Sequence, residues 1–591
     1  MHFSPRPNRA AEIGWRAWGP DAFAAAKSEG KPVLLGISAV WCHWCHVMDE
    51  TSYSDPDVIE TINQQFIPVR VDTDQRPDVN ARYNMGGWPS TIFLTPDGEI
   101  LHGATYVPPE FMRSLLRRIA DFWRDPASRL AVTKQVGDLQ ARREMRRRLP
   151  PGGALDPDTA SDVFAGLERE YDEEFGGFGD EPKFPNTGAL GFLLDEFART
   201  KDGRAQRMVQ TSLHAMADGG MYDRIEGGFF RYSTTRDFSV PHFEKMLEDL
   251  AGLLLACARA AAMFGDDGLR RTCIDVVRYA DANLWTPELG GYGGSQDADE
   301  EYYGRDAVRR SETSKPFVDR TLYTSWNAQM ARALLVAGPL LGPDGAGWAR
   351  RGLDVLENVW SRLLVDGLMA RAFDGVPKTR GLLADQAWAA WAALAAYSVS
   401  SDNRWLGRAR DLLDASNALF DEHEGAYVDR LPDLTEPGRL RDRVVPIEEN
   451  AVMARALVTL ASFTGEAAYG ERARLVLSRF SASYRSVTTL AAAYACAMLD
   501  VTEPPVDIHV VGSVESAPAR ALRDAALAIA LPPIRVDALD PSRDAGRLRA
   551  MGYESSGDAV AYLCRGSTCF ARVRTAAELP STLEAGTASI R

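Results

Sequence analysis

Residues 41–46 read Trp41-Cys42-His43-Trp44-Cys45-His46, two cysteines separated by two residues at the start of a helical segment. Such a pair can cycle between dithiol and disulfide. A helix N-terminus favours the thiolate of its first cysteine, which makes Cys42 the attacking sulfur. Cys45, about one turn on, is then the resolving sulfur, and His43 between them can add positive charge. Three other chemistries fit the same letters. Cys42-His43-Trp44-Cys45-His46 matches the C-x-x-C-H pattern of haem attachment, two Cys and two His could hold zinc, and the cysteines could be purely structural. Haem attachment normally needs export, and a tetrahedral zinc site usually draws its ligands from two separated segments. Redox chemistry therefore ranks first.

The flanking elements must present that pair. Before it, Lys31–Ser38 is an apolar run of strand character; after it come a helix, a second strand at Phe66–Val71, and Trp88-Pro89 opening the strand Ser90–Leu94. A CxxC between strand and helix, with a proline opening a later strand, reads as a thioredoxin-like redox site. Pro89 takes the place of the cis-proline that lies beside such a disulfide. One position departs from the pattern. Thioredoxins place a buried Asp six residues before the first cysteine, and here that residue is Gly36. His46 is a candidate substitute base, or else an ordinary exposed helix residue.

The fold class expected is multidomain. An N-terminal α/β thioredoxin-like domain covers 1–125, and a linker at 126–154 contains Arg142–Arg148 and the Leu149–Gly153 break. From 155 to 502 the pattern is helical, with loops of Gly plus an aromatic or apolar residue at 176–178, 227–229, 290–294, 367–369 and 425–427. Recurrence at this scale indicates helical hairpins. Closing about six hairpins into an (α/α)6 toroid removes the exposed ends of an open solenoid and gathers loops at one mouth. A small α/β region at 503–591 completes the chain, with a hairpin expected around Cys564 and Cys569. Those two cysteines could bond to each other, resolve the Cys42–Cys45 pair, or stay isolated thiols.

Composition narrows the function. The chain has 591 residues, 45% hydrophobic and 25% charged, with a formal charge of −15. That balance excludes general nucleic-acid binding, which needs a basic face, and attraction to anionic membranes. No window resembles a signal peptide or a bilayer span. Seven cysteines are too few for a disulfide scaffold, and a cytoplasmic location is expected. No cofactor and no metal are called for, and oligomeric state is not legible.

The densest polar cluster runs from Met221 to Leu247 and includes Asp223, His242 and Glu244. Later come Asp297, Asp299, Trp326, Asn327 and Asp385. Aromatics interleaved with carboxylates at loop–helix junctions suit a sugar cleft, where rings stack and carboxylates move protons. The alternative is that they cap helices and brace loops. Epimerase chemistry would want two bases, and the helical region offers only His214, His242 and His423.

Trp44–Met48, Gly86-Gly87-Trp88-Pro89, Pro182–Pro185, Val240–Leu247, Gln296–Asp299 and Ser325-Trp326-Asn327 occur in that order. In them the chain resembles thioredoxin-domain proteins of the spermatogenesis-associated protein 20 type. The resemblance implies a thioredoxin-like domain followed by a six-hairpin-glycosidase-like toroid similar to N-acylglucosamine 2-epimerases. It also implies that Cys42 and Cys45 are the redox pair, with His242, Glu244, Asp297 and Asp299 at the toroid mouth. Between Asp299 and Trp326 the chain is shorter than the family's usual pattern. The functions expected are a thiol–disulfide redox protein whose toroid presents a protein client, a carbohydrate-active enzyme acting on a small saccharide, or a non-catalytic redox sensor.

Overall fold

The computed structural model describes residues 2–132, 134, 152–433, 435–553, 558–566 and 568–589. The arginine run at 142–148 lies outside them. The chain divides into two compact units. The first comprises Met1–Pro150, Ser295–Asp319 and Asp429–Val444; the second comprises Pro151–Gly294, Arg320–Val428 and Val445–Arg591.

The first unit is built on strands β1 (Val33–Ser38), β2 (Ile67–Asp72), β3 (Ser90–Leu94) and β4 (Ile100–Ala104). Their order is β2-β1-β3-β4, with β1 and β2 parallel and the rest antiparallel. β1 is a continuous apolar run because helices cover both faces. Val33, Leu35 and Ile37 pack with Phe23, Val79 and Tyr83. Leu34 points the other way, into Met48, Val58, Ile62 and Leu116. This central strand ends where the cysteine motif begins, so the sheet fixes the base of the redox loop. The segment 429–444 is anchored within the unit by Arg82, whose guanidinium donates to Asp429 Oδ2 at 2.7 Å and Oδ1 at 3.0 Å. Gly98 and Gly438 permit a close backbone approach: a Cβ on Gly98 would stand 2.6 Å from the Gly438 Cα.

The second unit contains a closed ring. Its inner helices are Thr187–Thr200, Leu247–Phe264, Thr324–Leu341, Leu383–Ser400, Ile447–Thr464 and Ala491–Thr502. Each packs on the next, and the last packs on the first. Outer helices Gly203–Asp218, Asp267–Tyr279, Trp348–Leu363, Asn403–Ala415, Ala467–Ser478 and Thr159–Glu170 back them one by one. This is an (α/α)6 toroid. The inner helices are Ala- and Leu-rich all round because they are buried on most sides, whereas the outer ones keep one polar face.

The recurring glycine loops have a common anchor. Asn327 Oδ1 accepts from Tyr292 N at 2.8 Å while its amide donates to Tyr292 O at 2.9 Å. Gln386 clamps Met369 in the same way, at 2.7 and 3.0 Å, and Asn450 clamps Tyr427, at 2.9 and 2.8 Å. In the two earlier loops a buried ammonium replaces the amide. Lys183 Nζ donates to Asp172 and Gly176 O, and Lys245 Nζ to Asp223 and Gly227 O. Backbone groups buried in a tight loop need partners, and the following inner helix or strand supplies them.

The C-terminal region has strands β5 (Val506–Val511), β6 (Ile534–Leu539), β7 (Val560–Arg565) and β8 (Thr568–Val573), in the order β6-β5-β7-β8. β5 and β6 are parallel, and β7 and β8 follow antiparallel. Helices Ala517–Leu527 and Ala545–Met551 separate the strands, and Leu579–Ser589 follows. The connectivity is that of the N-terminal sheet, so thioredoxin-type topology occurs at both ends of the chain. The loop after β5 lacks cysteines; a Cys564–Cys569 disulfide closes the β7–β8 hairpin instead.

Candidate functional site

Cys42 caps the helix His43–Glu50. Its Sγ accepts from Cys45 N at 3.1 Å, and the two sulfurs are joined as a disulfide with a Cα–Cα distance of 5.2 Å. Both cysteines are buried, while Trp44 between them is half-exposed and lies 5.2 Å from the Tyr106 ring. Trp41 is held by Asp74 Oδ2, at 2.8 Å from its indole nitrogen, and by the edge of Trp88. The Trp88–Pro89 peptide is cis and leads directly into β3, which pairs with β1. Among the described residues no group of three or more His, Cys, Asp or Glu is arranged to hold a metal ion.

His46 is not an exposed helix residue; it is 8% exposed. Its Nδ1 stands 3.3 Å from Asp297 Oδ2, so Asp297 lies in the first unit beside the cysteine motif. Burial, reinforced by His2, His43 and Arg70, pushes the His46 imidazolium down to about 4, while the Val40 carbonyl opposes the shift. A cavity of about 20 Å³ lies beside it, lined by His2, Ser38, Val40, Arg70 and Asp72 among others. Burial, with the charge of Asp319, raises the Asp72 carboxyl. Below the motif helix, Arg70 grips Asp49 through paired bonds of 2.7 and 2.9 Å. Asp299 caps the short helix Glu300–Tyr303, accepting from Tyr302 N at 2.9 Å.

The second unit places the other candidates around the ring. Asp223 is engaged by Lys245, and Asn327 by the Tyr292 backbone. His242 Nδ1 pairs with Glu244, which also faces Arg231 at 3.4 Å. The Tyr232 ring stacks on His242 at 5.1 Å. Trp326 sits between Tyr323 and the Arg371 guanidinium and bonds Glu248. Asp385 Oδ1 accepts from Ser325 N at 2.9 Å and lies 3.3 Å from Arg371, whereas its Oδ2 is buried with no hydrogen-bond partner among the described residues. Burial lifts the Asp385 carboxyl to about 6.

Three acids here went unread in the sequence. Glu248 and Asp249 open one inner helix and Glu448 opens the inner helix on the opposite side of the ring. Burial raises all three; Glu448 reaches about 7, helped by Glu449 and Glu248. Glu448 is surrounded by protein yet exposed to solvent, which is the condition of a group lining a concavity. Acidic doublets in a first helical turn read as partners of the helix dipole, and that hid them; their recurrence at inner-helix starts was the available signal.

Residues 6–141 match a protein family named Thioredox_DsbH and described as a protein of unknown function, DUF255. Human spermatogenesis-associated protein 20 is 27% identical over 97% of this chain and 90% of its own length. This chain is similar to proteins of the spermatogenesis-associated protein 20 type over nearly its whole length. A thiol:disulfide interchange protein, DsbD 2 of Pseudomonas aeruginosa, is 35% identical over 13% of this chain and 14% of its own. Among solved structures, cellobiose 2-epimerase from Bacillus thermoamylovorans is similar over 54% of this chain and 85% of its own, with 8% identity and a TM-score of 0.45.

Proposed function

We propose that this protein is a thiol–disulfide exchange protein acting on the cysteines of a partner protein. The observation that supports it most is the Cys42–Cys45 disulfide at a helix N-terminus, with Cys42 Sγ accepting the Cys45 backbone N–H. A thiolate at Cys42 keeps both that bond and the helix dipole, so attack starts there and Cys45 resolves. The half-exposed Trp44 beside Tyr106 offers an apolar shelf for a client chain. Among its described residues the chain has no helix long and apolar enough to cross a membrane. Cys45→Ser should accumulate mixed disulfides through Cys42, and Cys42→Ser should accumulate none. Equal trapping by both variants would defeat this reading.

The ring mouth favours a second activity on small saccharides. Glu448 holds its proton to about 7 and feels the charge of Glu248 from across the ring. A proton-holding acid facing other carboxylates, with aromatic rings nearby, suits proton transfer to a sugar. Titration calorimetry against a glycan panel, with Glu448→Gln as control, tests it. Uniform absence of heat would remove it.

A further inference from the structure

Resolution of a mixed disulfide requires the Cys45 thiol to lose its proton inside a buried site. The strand position that would carry an acid is Gly36, and the space there is taken. A Cβ on Gly36 would meet the Tyr53 hydroxyl at 3.3 Å and Trp15 at 3.5 Å. Tyr53 cannot serve instead, because burial pushes its hydroxyl up to about 12. The proton must leave by another route.

His46 directly follows Cys45 and lies one helical turn from Cys42, which puts it on the side of the helix that carries Cys42. Its ring has two acceptors within reach, the Asp297 carboxylate and the Val40 carbonyl. Its Nδ1 faces that carboxylate at 3.3 Å, while its Nε2 is buried with no hydrogen-bond partner among the described residues, so the neutral ring keeps one acceptor open for a proton. We infer that His46 is the proton acceptor for Cys45 and that Asp297, from the segment Ser295–Asp319, is the positioning residue that replaces the missing strand acid. This rests on the exchange reading above.

The step balances. Cys45 gives its proton to neutral His46, and the resulting thiolate attacks Cys42 Sγ in the Cys42–client disulfide. The Cys42–Cys45 bond forms, the Cys42–client bond breaks, and the client leaves as a thiolate that recovers the proton from His46. Over the first attack by Cys42 and this resolving step together, the client disulfide gains two electrons and the protein pair loses two. Around His46 stand His2 from the N-terminal segment, Asp297, Arg70 and Asp72 from β2, and His43 from its own helix. The cavity between His46 and Asp72 admits one water molecule, which would link the imidazole to a second protonatable carboxyl.

The test uses the full chain with Cys564→Ser and Cys569→Ser, which removes the other reducible pair, reduced and then mixed with the aromatic disulfide of 5-thio-2-nitrobenzoate. Attack by Cys42 releases the first coloured thiol, and attack by Cys45 releases the second. At pH about 7, His46→Gln should slow the second release about a hundredfold, and Asp297→Asn about tenfold, with the first release unchanged. Both defects should close toward pH about 9.5, above the usual thiol pKa, where hydroxide deprotonates Cys45. Asp297→Glu should recover part of the rate. A second release unaltered at neutral pH, or a loss equal at both pH values or shared by the first phase, would overturn the assignment. Failure of the protein with His46 and Asp297 intact to release either thiol would instead overturn the exchange reading, and this assignment with it.

Discussion

Replacing Arg70 with Met exposes how the redox helix is held. Asp49 is fully buried on the helix His43–Glu50, and its carboxylate takes two guanidinium bonds from Arg70 on β2, at 2.7 and 2.9 Å, plus the Ser4 N–H at 3.0 Å. Arg70 itself is 7% exposed, with its guanidinium 4.7 Å from the Phe3 ring. Truncation leaves the carboxylate with one backbone donor in a dry site, and breaking a buried pair in this way costs about 3–5 kcal/mol. That is a large share of a domain's stability of about 5–15 kcal/mol. The stranded carboxylate escapes part of the cost by taking up a proton. The folded variant then binds more protons than the unfolded chain, so its stability falls as pH rises. The deficit against wild type should be small near pH about 4 and complete by pH about 7. Arg70→Met/Asp49→Leu removes the stranded charge and should recover at least about 1 kcal/mol of the loss. Urea titrations followed by tryptophan fluorescence at several pH values supply the numbers. A deficit below about 1 kcal/mol at neutral pH, a deficit flat across that range, or a double variant no better than the single would refute the reasoning.

Two further outcomes follow from the second unit. Asn327→Leu deprives the Tyr292 N–H and C=O of their partners, and two buried unsatisfied groups cost about 2–5 kcal/mol in total; a urea midpoint by circular dichroism matching wild type would show that the clamp is dispensable. Asp385, lifted to about 6 by burial, stabilises the fold only while protonated, so its contribution is lost as pH rises from about 4 through about 6. In Asp385→Asn that component of the pH dependence, about 3 kcal/mol from the shift, should vanish from paired urea titrations at both ends of the range.

Local features were the legible ones. The strand before Cys42, the helix after it and the strand opened by Pro89 follow from patterns a few residues long, and β1, β2 and β3 stand where those patterns put them. The hairpin repeat was visible because each glycine loop breaks a helical period, and the ring closes as that repeat implies. Long-range pairings were invisible. Nothing near His46 indicates that Asp297 comes to it, because only the folded chain brings the two together. The same is true of Asn327, Gln386 and Asn450, whose amides look like helix-start polarity until the clamped loops are seen. Asp223 was legible as a polar loop residue, but its engagement with the buried Lys245 follows from no spacing rule.

The make-up of the first unit has a consequence for how the protein is born. Its redox motif and sheet lie before residue 150, but the stretch that carries Asp297 ends at Asp319 and the stretch that holds Asp429 at Val444. A ribosome adding about 5–20 residues per second takes roughly 8–34 s to travel from residue 150 to residue 319. For most of that interval the nascent cysteine motif exists without its acidic partner, and the ring helices that precede residue 295 are emerging meanwhile. On the exchange reading proposed above, full competence is a late event in synthesis, and an encounter between the nascent chain and an oxidant or a thiol would meet a motif still lacking the acid beside His46.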